Sequence, residues 1–250
     1  MEIIGMVHLK TLLGYPQHQS MSVVLEQAIE DALLLEQGGV DAILIENTDD
    51  DPHQKIVSPE IIAAFTVITR EIKAKVKVPI GVCVLWNDYQ ASLAIAKLAE
   101  ADFVRIPVFT EAVVTASGII EGNPYEAISY RHKIGADNIK ILADIQVKHA
   151  AMLAKRPLEE SAKEALHFGA DEIIITGRFT GDCPDLEKLR KVRVVCPKAT
   201  IVIGSGTTPN NFLELAKFAD KAIVGTYFKP KGKIELEKVE ELMRIGKNHE

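Results

Sequence analysis

Eight short aliphatic runs, each followed by a longer stretch, most with helical periodicity, limit this chain to few architectures. The runs are Ile3–His8, Asp41–Asn47, Val78–Trp86, Asp102–Val108, Ile139–Val147, Asp171–Thr176, Thr200–Gly204 and Lys221–Gly225. Between them, Met21–Gln37 carries Val24, Ala28, Ala32 and Leu35 on one stripe and stops at Gly38-Gly39. Pro59–Lys75 opens on Ser58 as N-cap with proline at the first helical position. Asp88–Leu98, Pro157–Phe168, Pro184–Val192, Pro209–Phe218 and Glu235–Ile245 continue the alternation. Strands joined through helices run parallel. An open doubly wound sheet is the alternative, but eight regular units in 250 residues suit one closed (β/α)8 barrel. No linker or composition shift divides the chain, so residues 1–250 are expected to form a single barrel domain. The least regular segment, Phe109–Pro124, is expected to be a lid or ordered packing at the barrel mouth.

Composition narrows the function. The net charge of -6 is spread along the chain with no basic stripe, which argues against nucleic acid as a partner. No apolar run approaches the roughly eighteen residues of a membrane span, so no transmembrane segment is expected. The opening residues lack the basic region of a signal peptide. Cys83, Cys183 and Cys196 fit neither a zinc spacing nor a disulfide framework. They read as reduced thiols of a cytoplasmic protein.

The last two runs end alike. One stops at Gly204-Ser205-Gly206-Thr207-Thr208-Pro209 and the other at Gly225-Thr226. Buried strands opening into glycine and hydroxyl residues suit turns whose backbone N–H groups hold an anion. Side by side, such turns make the phosphate cradle found after strands seven and eight of many barrels. Glycines that merely close tight turns are the plainer reading. Lys229, Lys231 and Lys233 follow closely, serving a small anion or a solvated loop.

Strand side chains alternate between faces. With Val104, Ile106 and Val108 against the helices, Arg105 points into the barrel. By the same parity Glu46, Asp144, Gln146, Lys148 and Asn87 fall inward, His8 is in phase with Ile4 and Met6, and Thr176 ends the sixth run. These groups gather at the C-terminal strand ends, where barrel enzymes keep their chemistry. A plug of ion pairs, Arg105 with Asp144 or Glu46, is the structural alternative.

Chemistry suggests roles. His8 and Asp144, on opposite strands, suit proton transfer between substrate atoms. Arg105 and Lys148 suit a carboxylate, enolate or second phosphate, and Lys148 could instead form a Schiff base. Glu46 completes the candidate catalytic set. Asn47, Asn87, His149 and Thr176 join Gly204, Ser205, Gly206, Gly225 and Thr226 as candidate substrate-binding residues. Glu46 with Asp49-Asp50-Asp51 raises Mg2+ as a ligand, but consecutive aspartates before Pro52 read as a solvated turn with diverging side chains, so no metal ligand set is assigned. Paired-carboxylate glycoside hydrolysis is disfavoured, because Trp86 is the only tryptophan for a sugar platform.

These residues also carry a resemblance. Ile4-Gly-Met-Val-His8-Leu, Gly38-Gly-Val-Asp-Ala-Ile-Leu-Ile-Glu46-Asn47, Leu142-Ala-Asp144-Ile-Gln-Val-Lys148-His149-Ala and Val202-Ile-Gly-Ser-Gly206-Thr-Thr-Pro-Asn210 resemble motifs of the BtpA/SgcQ family, in order along nearly the whole chain. The resemblance implies a (β/α)8 barrel of the ribulose-phosphate-binding type. Other members carry labels such as phosphoribosylanthranilate isomerase, and the inferred cradle facing His8, Arg105 and Asp144 adds the expectation of a small phosphorylated metabolite as ligand, with isomerase or lyase chemistry. A role in photosystem I biogenesis is the alternative, since the family takes its name from one. Barrels of this kind commonly dimerise, so a homo-oligomer is expected. Two turns depart from the family pattern, Thr176-Gly177-Arg178-Phe179-Thr180-Gly181 and Asp49-Asp50-Asp51-Pro52-His53, which leaves the substrate open.

Overall fold

The computed structural model describes residues 1–247. In chain order the strands are β1 (Glu2–His8), β2 (Ala42–Glu46), β3 (Ile80–Cys83), β4 (Phe103–Ile106), β5 (Ala112–Thr115), β6 (Gly118–Glu121), β7 (Lys140–Ile145), β8 (Ala151–Met152), β9 (Glu172–Ile175), β10 (Thr200–Ile203) and β11 (Lys221–Val224). The helices are α1 (Met21–Gln37), α2 (Pro59–Lys73), α3 (Tyr89–Ala99), α4 (Pro124–Lys133), α5 (Leu158–His167), α6 (Leu186–Val195), α7 (Phe212–Leu215) and α8 (Leu236–Lys247). Eight strands close a parallel barrel in the order β1-β11-β10-β9-β7-β4-β3-β2. The fold is a (β/α)8 barrel.

The barrel interior has three tiers. At the bottom Glu172, almost wholly buried, receives Lys221 at 2.8 Å and Lys140 at 3.5 Å. The middle is apolar, with Ile4, Met6, Leu44, Phe103, Leu142, Ile174, Val202 and Ile223 in one cluster. Gly81 makes room there, since a Cβ at that position would overlap the Phe103 ring. The top tier is ionic and is described below. Ile43, Ile45, Val82, Val104, Ile106, Ile141 and Ala143 pack outward with the helices, as the alternation requires.

Phe109–Pro124 is ordered packing rather than an irregular loop. β5 and β6 form an antiparallel hairpin, and β8 from the following crossover adds to it through Val113↔Met152 and Val114↔Ala151. Val108, Val113, Ile120 and Val147 make a small core beneath it. The helix expected over Pro209–Phe218 shrinks to one turn. Asn211 turns back on the preceding loop, accepting from the Thr208 N–H and donating to the Gly206 carbonyl, and this side-chain turn competes with helix. Ser58 precedes α2 in extended conformation, but its hydroxyl makes no cap bond.

Candidate functional site

The strand ends place His8, Glu46 and Arg105 around one cavity at the C-terminal mouth, because all three lie within strands and obey the alternation. Arg105 is buried and forms a fork on Asp144, Nε to Oδ1 at 2.8 Å and Nη2 to Oδ2 at 2.9 Å, with Nη1 3.3 Å from Glu46 Oε2. Burial opposes its charge, but the two carboxylates outweigh it and hold the guanidinium firmly protonated. Burial likewise works against the Glu46 carboxylate. Arg105, His8 and Lys148 overcome that and leave its pKa below the usual range.

Asp144 is the first departure from the sequence reading. Its side chain has no exposed surface and does not line the cavity. Strands β1 and β7 are opposed across the barrel, yet the Asp144 carboxylate is taken up by Arg105 rather than facing His8. Proton exchange between His8 and Asp144 therefore lacks the open geometry it needs.

His8 is neutral at physiological pH. Burial and then Lys229 push its pKa down to about 4, Glu46 opposing. Unfolded, the imidazole takes a proton near 6.5; folded, it resists until about 4. Between those values the unfolded chain binds more protons, so stability falls as pH falls. That loss should reach at most about 3 kcal/mol. His8→Gln should remove it, and urea unfolding of both proteins across this window checks the point. Parallel pH profiles for wild type and variant would contradict the assignment.

The cradle closes the other side of the same cavity, of about 250 Å3, which is lined by Gly204, Ser205, Gly206, Thr207, Gly225 and Thr226. Gly206 adopts φ +76, and a Cβ there would overlap the backbone of Asp182 and Cys183, so only glycine fits this turn. The Ser205 hydroxyl is committed to the fold, donating to the Asp182 carbonyl at 2.7 Å and accepting from the Gly177 N–H at 3.2 Å. Its contribution to a ligand is restricted to the backbone. Among the described residues, the amides of Ser205, Gly206 and Thr207 meet no acceptor. The Thr207 Oγ1, closed off from solvent, also has no hydrogen-bond partner among the described residues, which costs free energy.

Lys148 also lines this cavity, though not by strand parity. β7 ends at Ile145, and Gln146 and His149 both adopt left-handed backbone, φ +52 and +59. The turn throws Lys148 over the barrel mouth. Parity fails for its neighbour Gln146. The Gln146 side chain turns away to the Arg156 carbonyl. His149 is exposed and bonds Thr180 Oγ1 at 2.9 Å. His149 and Thr176 line an adjoining groove of about 1040 Å3, which Lys148 shares. The Thr176 hydroxyl accepts from the Lys148 N–H.

The asparagines are structural in their contacts. Asn87 spans the Val108 backbone, donating to its carbonyl and accepting from its N–H, both at 2.8 Å. It lies beyond the end of β3, so strand parity does not apply. Asn47 accepts from the Leu85 N–H and donates to Asp50. Asp50 is fully buried and also accepts from the Leu12 N–H, so this aspartate is no part of a solvated turn. Among the described residues no three His, Cys, Asp or Glu groups converge as metal ligands. Lys229 pairs with buried Asp31 at 2.8 Å, whereas Lys231 and Lys233 are exposed.

Residues that sequence reasoning left out of the site are Thr180, Gly181, Thr207, Thr208 and Tyr227, all lining the cradle cavity. Thr207 and Thr208 stood inside the glycine-hydroxyl run and could have been added on that signal. Tyr227 had none. No helix among the described residues is long and apolar enough to cross a membrane.

Comparison with known proteins places this geometry in context. The model of a family described as the BtpA family matches residues 1–248. A protein of Archaeoglobus fulgidus is 40% identical over 245 residues, covering 98% of each chain. The photosystem I biogenesis protein BtpA of Synechocystis is 37% identical over 235 residues, covering 93% of this chain and 82% of that one. Among solved structures, phosphoribosyl anthranilate isomerase from Thermus thermophilus superposes with a TM-score of 0.63 at 13% identity, each chain fully covered. That likeness concerns the fold.

Proposed function

Since the chain belongs to the BtpA family and closes into a parallel barrel, we propose that it is an enzyme acting on a small phosphorylated metabolite. The phosphate would sit on the amides of Ser205, Gly206 and Thr207 beside Gly225. His8, Glu46, Arg105 and Lys148 would face the reacting carbons and carry out isomerase or lyase chemistry by acid–base steps. The observation that carries this reading is the run of amides at Ser205, Gly206 and Thr207, which meet no acceptor among the described residues and belong to residues lining the cavity that also holds the charged cluster. At neutral pH His8 and Glu46 both stand in their proton-accepting forms, imidazole neutral and carboxylate anionic, so either can take a proton from the substrate. Three free thiols fit a reducing, cytoplasmic setting.

A thermal-shift screen against inorganic phosphate, sugar phosphates and the matching unphosphorylated sugars tests it. A ligand at a hundred times its Kd stabilises by about 2.7 kcal/mol, which should raise Tm by about 5–10 °C in a chain of this size. The rise is expected with phosphorylated compounds and not with their sugars. No shift with any phosphate compound would count against the enzyme and favour an interaction role like that named for the Synechocystis relative.

A further inference from the structure

The ionic groups at the barrel mouth are unequally satisfied. Arg105 is matched by Asp144 and Glu46, and Lys229 by Asp31. Half-buried Lys148 differs: among the described residues its Nζ has no carboxylate within 4 Å and no hydrogen-bond acceptor. It is also placed with unusual care. The left-handed residues on either side of its loop are held from several directions. Glu111 accepts from the Gln146 N–H at 2.7 Å, Thr176 accepts from the Lys148 N–H at 3.1 Å, and Thr180 bonds the His149 ring. Non-glycine residues in this backbone region cost free energy and persist where surrounding structure over-determines them, often at functional sites. The result is an amine standing where the cradle cavity meets the larger groove, within reach of both.

A lysine meant to hold an anion gains from surroundings that favour its charge. Here the surroundings oppose it: burial and then the Arg105 guanidinium lower the Lys148 pKa, only partly offset by Glu46 and Asp144. Such an amine is suited to act as a nucleophile.

We propose that Lys148 forms a Schiff base with the carbonyl carbon of a phosphorylated aldehyde or ketone whose phosphate occupies the cradle. The proposal rests on the cradle reading for the phosphate end and adds the substrate class and the nucleophile. The nitrogen lone pair forms the C–N bond as the carbonyl π pair moves to oxygen. One proton passes from nitrogen to that oxygen through Glu46 or His8. A second, taken up from solvent, lets the C–O bond break with its pair leaving as water, while the nitrogen pair closes the C=N bond. The sum is amine, carbonyl and one proton giving iminium and water. The iminium withdraws electrons from the neighbouring carbon, as making or breaking a carbon–carbon bond demands. The rest of the substrate would extend past Lys148 into the groove beside His149 and Phe179.

The test is reductive trapping. The intact protein is incubated with glycolaldehyde phosphate or dihydroxyacetone phosphate and sodium cyanoborohydride, then mass-analysed whole and by peptide. One adduct is expected, on Lys148, suppressed by inorganic phosphate and lost in Lys148→Arg. Adducts scattered over exposed lysines, with none concentrated on Lys148 in the wild-type protein, would overturn the Schiff base without depending on whether the variant folds. If inorganic phosphate still raises Tm in that case, the cradle reading survives. Conversely, trapping of unphosphorylated glycolaldehyde on Lys148 without any phosphate-induced shift would keep the lysine and remove the cradle.

Discussion

Replacing Gly225 with aspartate is expected to abolish phosphate binding while leaving the barrel folded. The backbone there has φ -124, outside the left-handed region that is reserved for glycine. The space is another matter. A Cβ would stand 2.9 Å from His8 Cε1 and 3.3 Å from the Met6 Cβ, so the new side chain must enter the cradle cavity. Two like charges about 4 Å apart at an effective dielectric near 20 repel by about 4 kcal/mol. That corresponds to roughly a thousandfold loss of affinity. Gly225→Ala adds bulk without charge and should weaken binding less. Calorimetric titration with inorganic phosphate measures both, and circular dichroism checks the fold. A folded Gly225→Asp protein that binds phosphate normally would show that the anion, if bound, sits elsewhere.

Arg105→Met is expected to produce the largest loss of stability of any single change at the site. The guanidinium is the cation for two buried carboxylates, and the methionine is similar in length but neutral. Breaking a buried ion pair by removing one partner costs about 3–5 kcal/mol, or about 6–20 °C in Tm for a chain of this length. The pH dependence carries the diagnosis. In the wild type Glu46 is held below its usual range, so its contribution is fully present above the ordinary glutamate pKa and is lost as pH falls through the lower folded value. Without Arg105, burial dominates and Glu46 should shift upward. At Glu46 the folded variant then binds more protons than the unfolded chain, so the contribution of this group improves as pH falls. The variant's deficit should therefore be greatest near neutral pH and narrow toward acid. Arg105→Met combined with Asp144→Asn should recover part of the loss, because the partner left unpaired is gone. Equal stability of Arg105→Met and wild type at neutral pH would remove the ion-pair account.

These effects show why some residues could be placed from sequence and others could not. His8, Glu46 and Arg105 lie inside strands, where side-chain direction follows from position alone. Asn87 and Gln146 were assigned by the same rule but stand past the ends of β3 and β7. There the backbone is free to turn, and each side chain finds a local partner instead of the barrel interior. Lys148 illustrates the point from the other side. Alternation assigned it to the mouth, and it is there, but it arrives through two left-handed residues rather than along a strand. The hairpin of β5 and β6 was illegible for a related reason. It is completed by Ala151–Met152, more than thirty residues away, a pairing no local pattern encodes.

The amino-acid sequence by itself determined the eight parallel strands, the inward direction of the residues that lie within them, and the glycine turns at the end of the last two. Each of those follows from short-range rules: alternation along a strand, periodicity along a helix, and the conformational freedom of glycine. Only the tertiary structure decided which inward charges cancel and which remain available. Asp144, Glu46, Arg105 and Lys148 look alike as polar residues at strand ends. Yet closing the barrel sets Arg105 between the two carboxylates and, among the described residues, leaves the Lys148 amine without one. Pairing depends on distances across the barrel of a few ångströms, and those are set by register and loop closure between strands far apart in the chain.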